Sequence, residues 1–347
     1  MLEKILENYG FERGSCIVDP VGTGLINHTW KVQCGDGSYI FQQINNGVFL
    51  IPEDIENNIS LISAYVAKHC PGYHFVAPMK TKKGEEMVIT ENKYYRVFPF
   101  VPNSHTIDVV KSPLQAYEAA AAFGKFTNIL SGFDASQLKE TLPGFHNLSN
   151  RYQQFIHALS YGNPERIKES AATIQEVSKY ASIVNEYMAI KSNPEFKIRV
   201  THHDTKISNV LFDQTDHALC VIDLDTVMAG YFISDVGDMM RTYLCPVSEE
   251  EKDFSKIEIR DDFYTSVVKG YASQMRDELT PIEKTHFLYA GQFMIYMQAL
   301  RFLNDYLMED KYYGSKYPGH NLVRAQNQMV LLAKLTEKKY LNELPIF

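Results

Sequence analysis

The chain has 347 residues, with 34 Lys+Arg against 42 Asp+Glu and a formal net charge of −8. A hydrophobic content of 45% with 12% aromatics excludes disorder as the main state, and 19 Gly with 14 Pro exclude a collagen-like or low-complexity chain. The acidic balance argues against a general nucleic-acid binder, which needs a basic face, but leaves room for a locally basic pocket around one phosphorylated small molecule.

At roughly 150 residues per domain, the length suggests two domains or lobes. The first seven residues alternate charged and apolar types like an amphipathic helix and lack the uninterrupted apolar stretch of a signal peptide. Thr29-Trp30-Lys31-Val32 and Ser38-Tyr39-Ile40-Phe41 flank a Gly/Asp-rich turn, which predicts a hairpin. A helix is predicted over 55–67, and a second hairpin joins 86–90 to 94–98 across Glu91-Asn92-Lys93. After Pro99 and Pro102 the character changes. Helical periodicity covers 116–130, 148–159, 166–190, 261–275, 281–307 and 321–335. A third hairpin, 210–212 with 219–222, interrupts this helical half. The expectation is an α+β chain with a small antiparallel-sheet lobe over 1–98, a hinge at 99–102 and a large helical lobe over 103–347.

Cys16, Cys34, Cys70, Cys220 and Cys245 form no C-x-x-C pair, and such an odd, scattered set predicts reduced intracellular thiols. The greasy run 287–300 is broken by Gln292 and Gln298 and is too short to span a bilayer, so it reads as a core helix. These features point to a cytoplasmic protein with no membrane or nucleic-acid partner and no protein partner evident.

The chemistry concentrates around the third hairpin. His202-x-Asp204-x4-Asn209 precedes an apolar strand, and Ile222-Asp223-Leu224-Asp225 follows the next one. Phosphoryl transfer needs a carboxylate to accept the proton of the attacking hydroxyl, and hard oxygen ligands to hold Mg²⁺ against the nucleotide phosphates. Asp204 fits the first need; Asn209 and Asp223 fit the second. The plainer alternative is a polar turn capped by His202, His203 and Asp204. His202 reads as an orienting residue rather than a base. Lys206 is placed either to offset charge on the transferring phosphoryl group or to sit in solvent. Upstream, Gly22-Thr23-Gly24 precedes a strand and is either a phosphate-approaching turn or an ordinary hairpin turn. Phe98, Phe100 and Val101 lie where the lobes join, as an adenine-binding wall or a plain linker.

Together these residues resemble the aminoglycoside phosphotransferase/choline kinase superfamily, which shares the protein-kinase-like fold. Arg301-Phe302-Leu303-x-Asp305-Tyr306-Leu307 and Lys316-Tyr317-Pro318-x-His320-Asn321-Leu322-Val323-Arg324 are similar to its N-acetylhexosamine 1-kinase group. The resemblance implies transfer of the ATP γ-phosphoryl to the anomeric hydroxyl of N-acetylglucosamine or N-acetylgalactosamine. It implies Asp204 as base, Asn209 and Asp223 as Mg²⁺ ligands, and Arg301 and Tyr312 as sugar contacts. It also implies Asp235 as a loop-bracing acid, with Asp225 bracing the loop or approaching the metal. From the residues alone, Arg301 has an i,i+4 ion pair with Asp305 as its alternative, and Tyr312 a packing role. The strand after the glycine turn offers Gln42 and Gln43 where protein kinases carry a lysine. Gln42 is therefore expected near the nucleotide, but without charge. The rival readings are a kinase of choline, an amino alcohol or an aminoglycoside, and a nucleotide-binding pseudokinase.

Overall fold

The computed structural model describes residues 2–345 except 13, 15, 22–25 and 36. Helix α1 (Leu2–Leu6) turns Ile5 and Leu6 inward beneath a sheet. That sheet comprises β1 (Cys16–Pro20), β2 (His28–Cys34), β3 (Gly37–Ile44), β4 (Val88–Thr90) and β5 (Lys93–Pro99), all antiparallel, in the order β1-β2-β3-β5-β4. Period-2 alternation puts Val32, Phe41, Tyr95 and Val97 on one face, where they bury with Ile5, Leu6 and Tyr9. The β4–β5 turn holds Glu91 and Asn92 at φ 51° and 57°, as a tight two-residue hairpin requires.

Helix α2 (Pro52–His69) joins β3 to β4 in the chain but packs elsewhere. Its stripe of Ile55, Ile59, Ile62 and Val66 belongs to the larger core. Asn58 on the same helix donates to Lys139 O (2.9 Å) and Val227 O (3.0 Å) and accepts from Lys139 N (2.8 Å).

The large lobe contains α3 (Pro113–Ile129), α4 (Leu148–Tyr161), α5 (Pro164–Glu169), α6 (Ala171–Lys179), α7 (Ser182–Ser192), α8 (Phe232–Tyr243), α9 (Asp261–Met275), α10 (Pro281–Lys284), α11 (Phe287–Leu307) and α12 (His320–Glu337). Helix α11 is apolar on nearly every side and runs through its middle, with α8, α12 and α4 against it, while α3 packs on α9. Two expected helices are broken. The one over 166–190 is three, because the Ser170 hydroxyl bonds back to Arg166 O (2.7 Å) and the chain turns there. The one over 281–307 stops at Lys284, where Thr285 Oγ1 and His286 Nδ1 both reach Ile282 O (2.8 Å each) and compete with the helical ladder.

Two short ribbons, β6 (Arg199–Thr201) with β9 (Met228–Gly230) and β7 (Val210–Phe212) with β8 (Ala218–Val221), sit in the helical lobe and carry its polar loops. The expectation of uniformly reduced cysteines fails for two of the five. Antiparallel register puts Cys16 opposite Cys34 with Cα atoms 4.3 Å apart, and they form a disulfide, while Cys70, Cys220 and Cys245 are free. Among the described residues no helix is long and apolar enough to cross a membrane.

Candidate active site

Residues 202–209 leave β6 as a loop whose backbone is held from below by α8. Asp235 in the first turn of that helix accepts from His202 N (2.9 Å) and His203 N (2.8 Å). Asp238, one turn later, accepts from Thr205 N (2.9 Å), and Tyr243 OH donates to Thr205 O (2.6 Å). Burial pushes the Asp235 carboxyl up to about 7 against the pull of its two backbone donors. His203 adopts a left-handed φ of 66° to make this turn. Its ring lies over Gly230, where a Cβ would come within 2.6 Å of His203 Nε2.

Asp204 is partly buried on this loop, and its Oδ1 lies 3.0 Å from Lys206 Nζ. Burial acts to raise the Asp204 carboxyl, but the charge and hydrogen bond of Lys206, with His202 and Asn209, together hold it below the ordinary value. The Asp204 charge in turn raises Lys206, so both groups are ionised at neutral pH. Asn209 donates its amide to Asp204 O (2.9 Å), which leaves its side-chain oxygen as the end able to face a cation. His202 is fully buried against Phe123 and Phe126. Its Nδ1 accepts from Asp204 N (3.4 Å) and its Nε2 donates to Ile222 O (2.9 Å), the neutral tautomer that burial favours.

Asp223 therefore leaves β8 joined to the Asp204 loop through His202 and through Ile222 N, which donates to Asn209 O (2.9 Å). It takes a left-handed φ of 60° and is exposed. Although its surface reaches solvent, crowding by the surrounding protein, then the charges of Asp225 and Asp204, push its carboxyl up to about 7. Such a place is short of positive charge, and one carboxylate with one amide oxygen is a donor set of the kind Mg²⁺ accepts while keeping water and phosphate ligands. Among the described residues no cluster of three or more His, Cys, Asp or Glu is arranged to hold a metal.

Asp225 is buried and turned away from solvent. Its Oδ1 pairs with Arg96 Nη2 at 2.5 Å and its Oδ2 accepts from Asn27 Nδ2 at 2.8 Å. Gln42 meets the same guanidinium, accepting from Arg96 Nε (3.1 Å) and Nη2 (2.8 Å). Sequence reasoning missed Arg96; a lone charge inside the apolar strand Tyr94-Tyr95-Arg96-Val97-Phe98 was the signal available. Phe98, next to last in the same strand, has Arg96 over its ring at 4.9 Å. Phe100 N donates to Ser38 O (3.1 Å), and Val101 O accepts from Ser104 Oγ (2.7 Å), so this connector is tied to the sheet and to itself. The expected glycine turn, Gly22, Thr23 and Gly24, lies outside the described residues.

Arg301 and Tyr312 line one cleft of about 600 Å³, together with Arg151, Gln154, His157 and Asp305. The Arg301–Asp305 ion pair is not formed. Asp305 instead accepts the backbone N–H groups of Tyr312 (2.7 Å) and Tyr313 (2.9 Å) and the amide of Asn321 (3.1 Å), holding the loop after α11 in place. Arg301 donates to Gln298 Oε1 (3.1 Å) and lies over the rings of Phe145, Tyr313 and Tyr312 at 5.3, 5.5 and 6.0 Å. A run of ring contacts leads from there to the Asp204 loop: Phe145 stacks on His146 at 4.4 Å, and His146 lies tilted against His203 at 5.2 Å, one residue from Asp204.

The architecture recurs in solved structures. A microcompartment-associated aminopropanol kinase superposes with a TM-score of 0.65 at 16% identity, over 98% of each chain. Spectinomycin phosphotransferase in complex with ADP and spectinomycin gives 0.59 at 14%, over 97% of this chain and 98% of that one. Choline kinase from Cryptosporidium parvum gives 0.56 at 12%, over 96% and 94%. At these identities the likeness establishes the two-lobed protein-kinase-like fold and leaves the substrate open. The sequence profile of the phosphotransferase enzyme family matches residues 17–254, across the sheet, the Asp204 loop and the Asp223 turn, and the chain belongs to that family.

Proposed function

We propose that the chain transfers the γ-phosphoryl group of ATP to the anomeric hydroxyl of N-acetylglucosamine or N-acetylgalactosamine, the reaction of an N-acetylhexosamine 1-kinase. The observation that carries this choice is the charge of the acceptor cleft. It is lined by two guanidiniums, Arg151 and Arg301, and its one carboxylate, Asp305, is already bonded to backbone N–H groups. Choline, ethanolamine and aminopropanol are cations, and two unneutralised arginines repel them. The Tyr312–Tyr313 pair cannot serve as an ammonium cage, because Arg301 lies over both rings. Hydroxyls and an acetamido oxygen suit guanidinium donors. The ADP in the spectinomycin enzyme supports a nucleotide donor.

On this reading residues 1–98 form the nucleotide-binding lobe, with α2 in that span packed on the larger core, 99–102 the hinge and 103–347 the catalytic and acceptor lobe. Gly22, Thr23 and Gly24 cover the phosphates, and Phe98, Phe100 and Val101 border the adenine. Asp204, ionised at neutral pH, orients the acceptor hydroxyl and takes its proton as the oxygen bonds to phosphorus and the bond to ADP breaks. A carboxylate is a weak base, which is sufficient where the transition state is loose and the proton leaves late. Lys206 offsets charge on the moving phosphoryl group. Asn209 and Asp223 would hold Mg²⁺, which when bound neutralises the nucleotide phosphates. His202, Asp225 and Asp235 hold the loop.

The test is a ³¹P NMR assay of ATP and Mg²⁺ with each acetamido sugar and with choline and ethanolamine. A sugar 1-phosphate is expected. Turnover of the amino alcohols without turnover of the sugars overturns the assignment.

A further inference from the structure

The β3 position that offers Gln42 lies directly opposite Arg96 on β5, so both side chains share one face of the sheet. Both guanidinium contacts to Gln42 use its carbonyl oxygen, which turns the amide into a bracket for the arginine. From that bracket Arg96 crosses to Asp225 on the large lobe, 129 residues away in sequence. Arg96 and Asp225 are each 2% exposed. Asn27, also from the small lobe, grips the other carboxylate oxygen, and its own Oδ1 accepts from Asn45 N (3.0 Å). Thr141 Oγ1 donates to Asp225 O (2.6 Å) from the large-lobe side. The short turn Leu224–Thr226 that holds Asp225 begins at Asp223 in its left-handed conformation.

A buried pair of this kind is a poor source of net stability, since an apolar pair of similar volume usually serves as well. Its placement is better explained by what it fixes. We propose that Arg96 is a positioning residue that latches the sheet to the turn after Asp223, and so sets the affinity for the Mg²⁺–nucleotide in place of a β3 cation. The latch holds the Asp223 backbone where it presents its carboxylate. This rests on the reading that Asp223 faces the metal–nucleotide.

The test is calorimetric titration of ADP into the full chain across a series of Mg²⁺ concentrations, with kcat and KM measured alongside. Arg96→Gln is expected to raise the Mg²⁺ concentration for half-maximal ADP binding at least tenfold. Arg96→Lys recovers to within about threefold, and kcat at saturating Mg²⁺ and ATP stays within about threefold of wild type. Should Arg96→Gln fail to fold because Asp225 is left unpaired, the Arg96→Gln/Asp225→Asn double variant carries no lone buried charge and is expected to show the same tenfold rise. Unchanged Mg²⁺–ADP binding in a folded variant, or a fall in kcat with unchanged half-saturation, overturns the inference alone. Absence of Mg²⁺–ADP binding by the wild-type protein overturns the nucleotide reading and this inference with it.

Discussion

His202 and Ile222 are joined by one hydrogen bond, Nε2 to carbonyl oxygen at 2.9 Å, and that bond couples the Asp204 loop to the strand end that carries Asp223. The donor and the acceptor both lie where water is scarce, and neither has an alternative of equal quality. His202→Ala is expected to cost about 2–4 kcal/mol, combining the lost hydrogen bonds with the cavity left against Phe123 and Phe126. It should lower kcat by about tenfold or more. Urea unfolding and steady-state kinetics check both figures. A variant with native turnover would show that the loop is held without this bond.

Asp204→Asn keeps the shape of the side chain and removes its charge. Loss of a positioned base is expected to reduce turnover by roughly 10²–10⁴-fold. ADP affinity should change by less than about threefold, because the nucleotide is held elsewhere. Near-normal turnover would remove Asp204 from the reaction.

The carboxyl of Asp223, pushed up to about 7, predicts a pH dependence with a definite sign. The folded chain holds this proton to higher pH than the unfolded chain, so its contribution to stability is present below about pH 4 and lost as pH rises through 7. A cation needs the ionised form, so Mg²⁺ binding must expel the proton. Half-saturation by Mg²⁺ in the presence of ADP should rise by up to about tenfold per pH unit below 7 and level off above about 8. Calorimetry in buffers of different ionisation enthalpy reads the released proton directly. An equal Mg²⁺ requirement at pH 6 and pH 8 would place the metal away from Asp223.

Arg301→Met retains an apolar stem over Phe145 but removes the donor fork. The acceptor KM should rise about tenfold or more while the ATP KM stays within about threefold. Arg151→Gln lowers the positive charge of the same cleft, so glucosamine should gain relative to N-acetylglucosamine. Competition between the two sugars gives that ratio in one experiment, and an unchanged ratio would refute the electrostatic account of selectivity.

Gly230→Ala introduces a Cβ within 2.6 Å of His203 Nε2, beneath the Asp204 loop. Overpacking there is expected to cost about 1–3 kcal/mol and to displace the loop, lowering kcat more than either KM. Thermal unfolding and kinetics together separate this from general destabilisation.

Much of the site's frame was legible because its signals are local. The hairpin turns at 34–37 and 91–93 announce themselves through Gly, Asp and Asn, and the polar loop between two short strands sets Asp204 five residues before Asn209. Helix α8 was harder to read. Tyr231 supplies no side-chain cap, and Phe232 through Met240 are all buried, because the polar stripe of Asp235 and Asp238 faces the backbone of the Asp204 loop rather than water. Helix α2 illustrates another limit: its stripe was visible, but nothing in it says which of two cores it joins. The Arg96–Asp225 pair and the Cys16–Cys34 bond depend on strand register and lobe packing, which short-range pattern does not encode.

The allegiance of α2 has a mechanical consequence. Asn58 bolts this helix to Lys139 and Val227, so it behaves as a fixed ledge of the larger body. If the cleft narrows over its substrates, the rocking part is the five-stranded cap alone. Its travel is governed at the rear by the chain entering and leaving that ledge, and at the front by the Arg96 guanidinium and the Asn27 amide on one carboxylate.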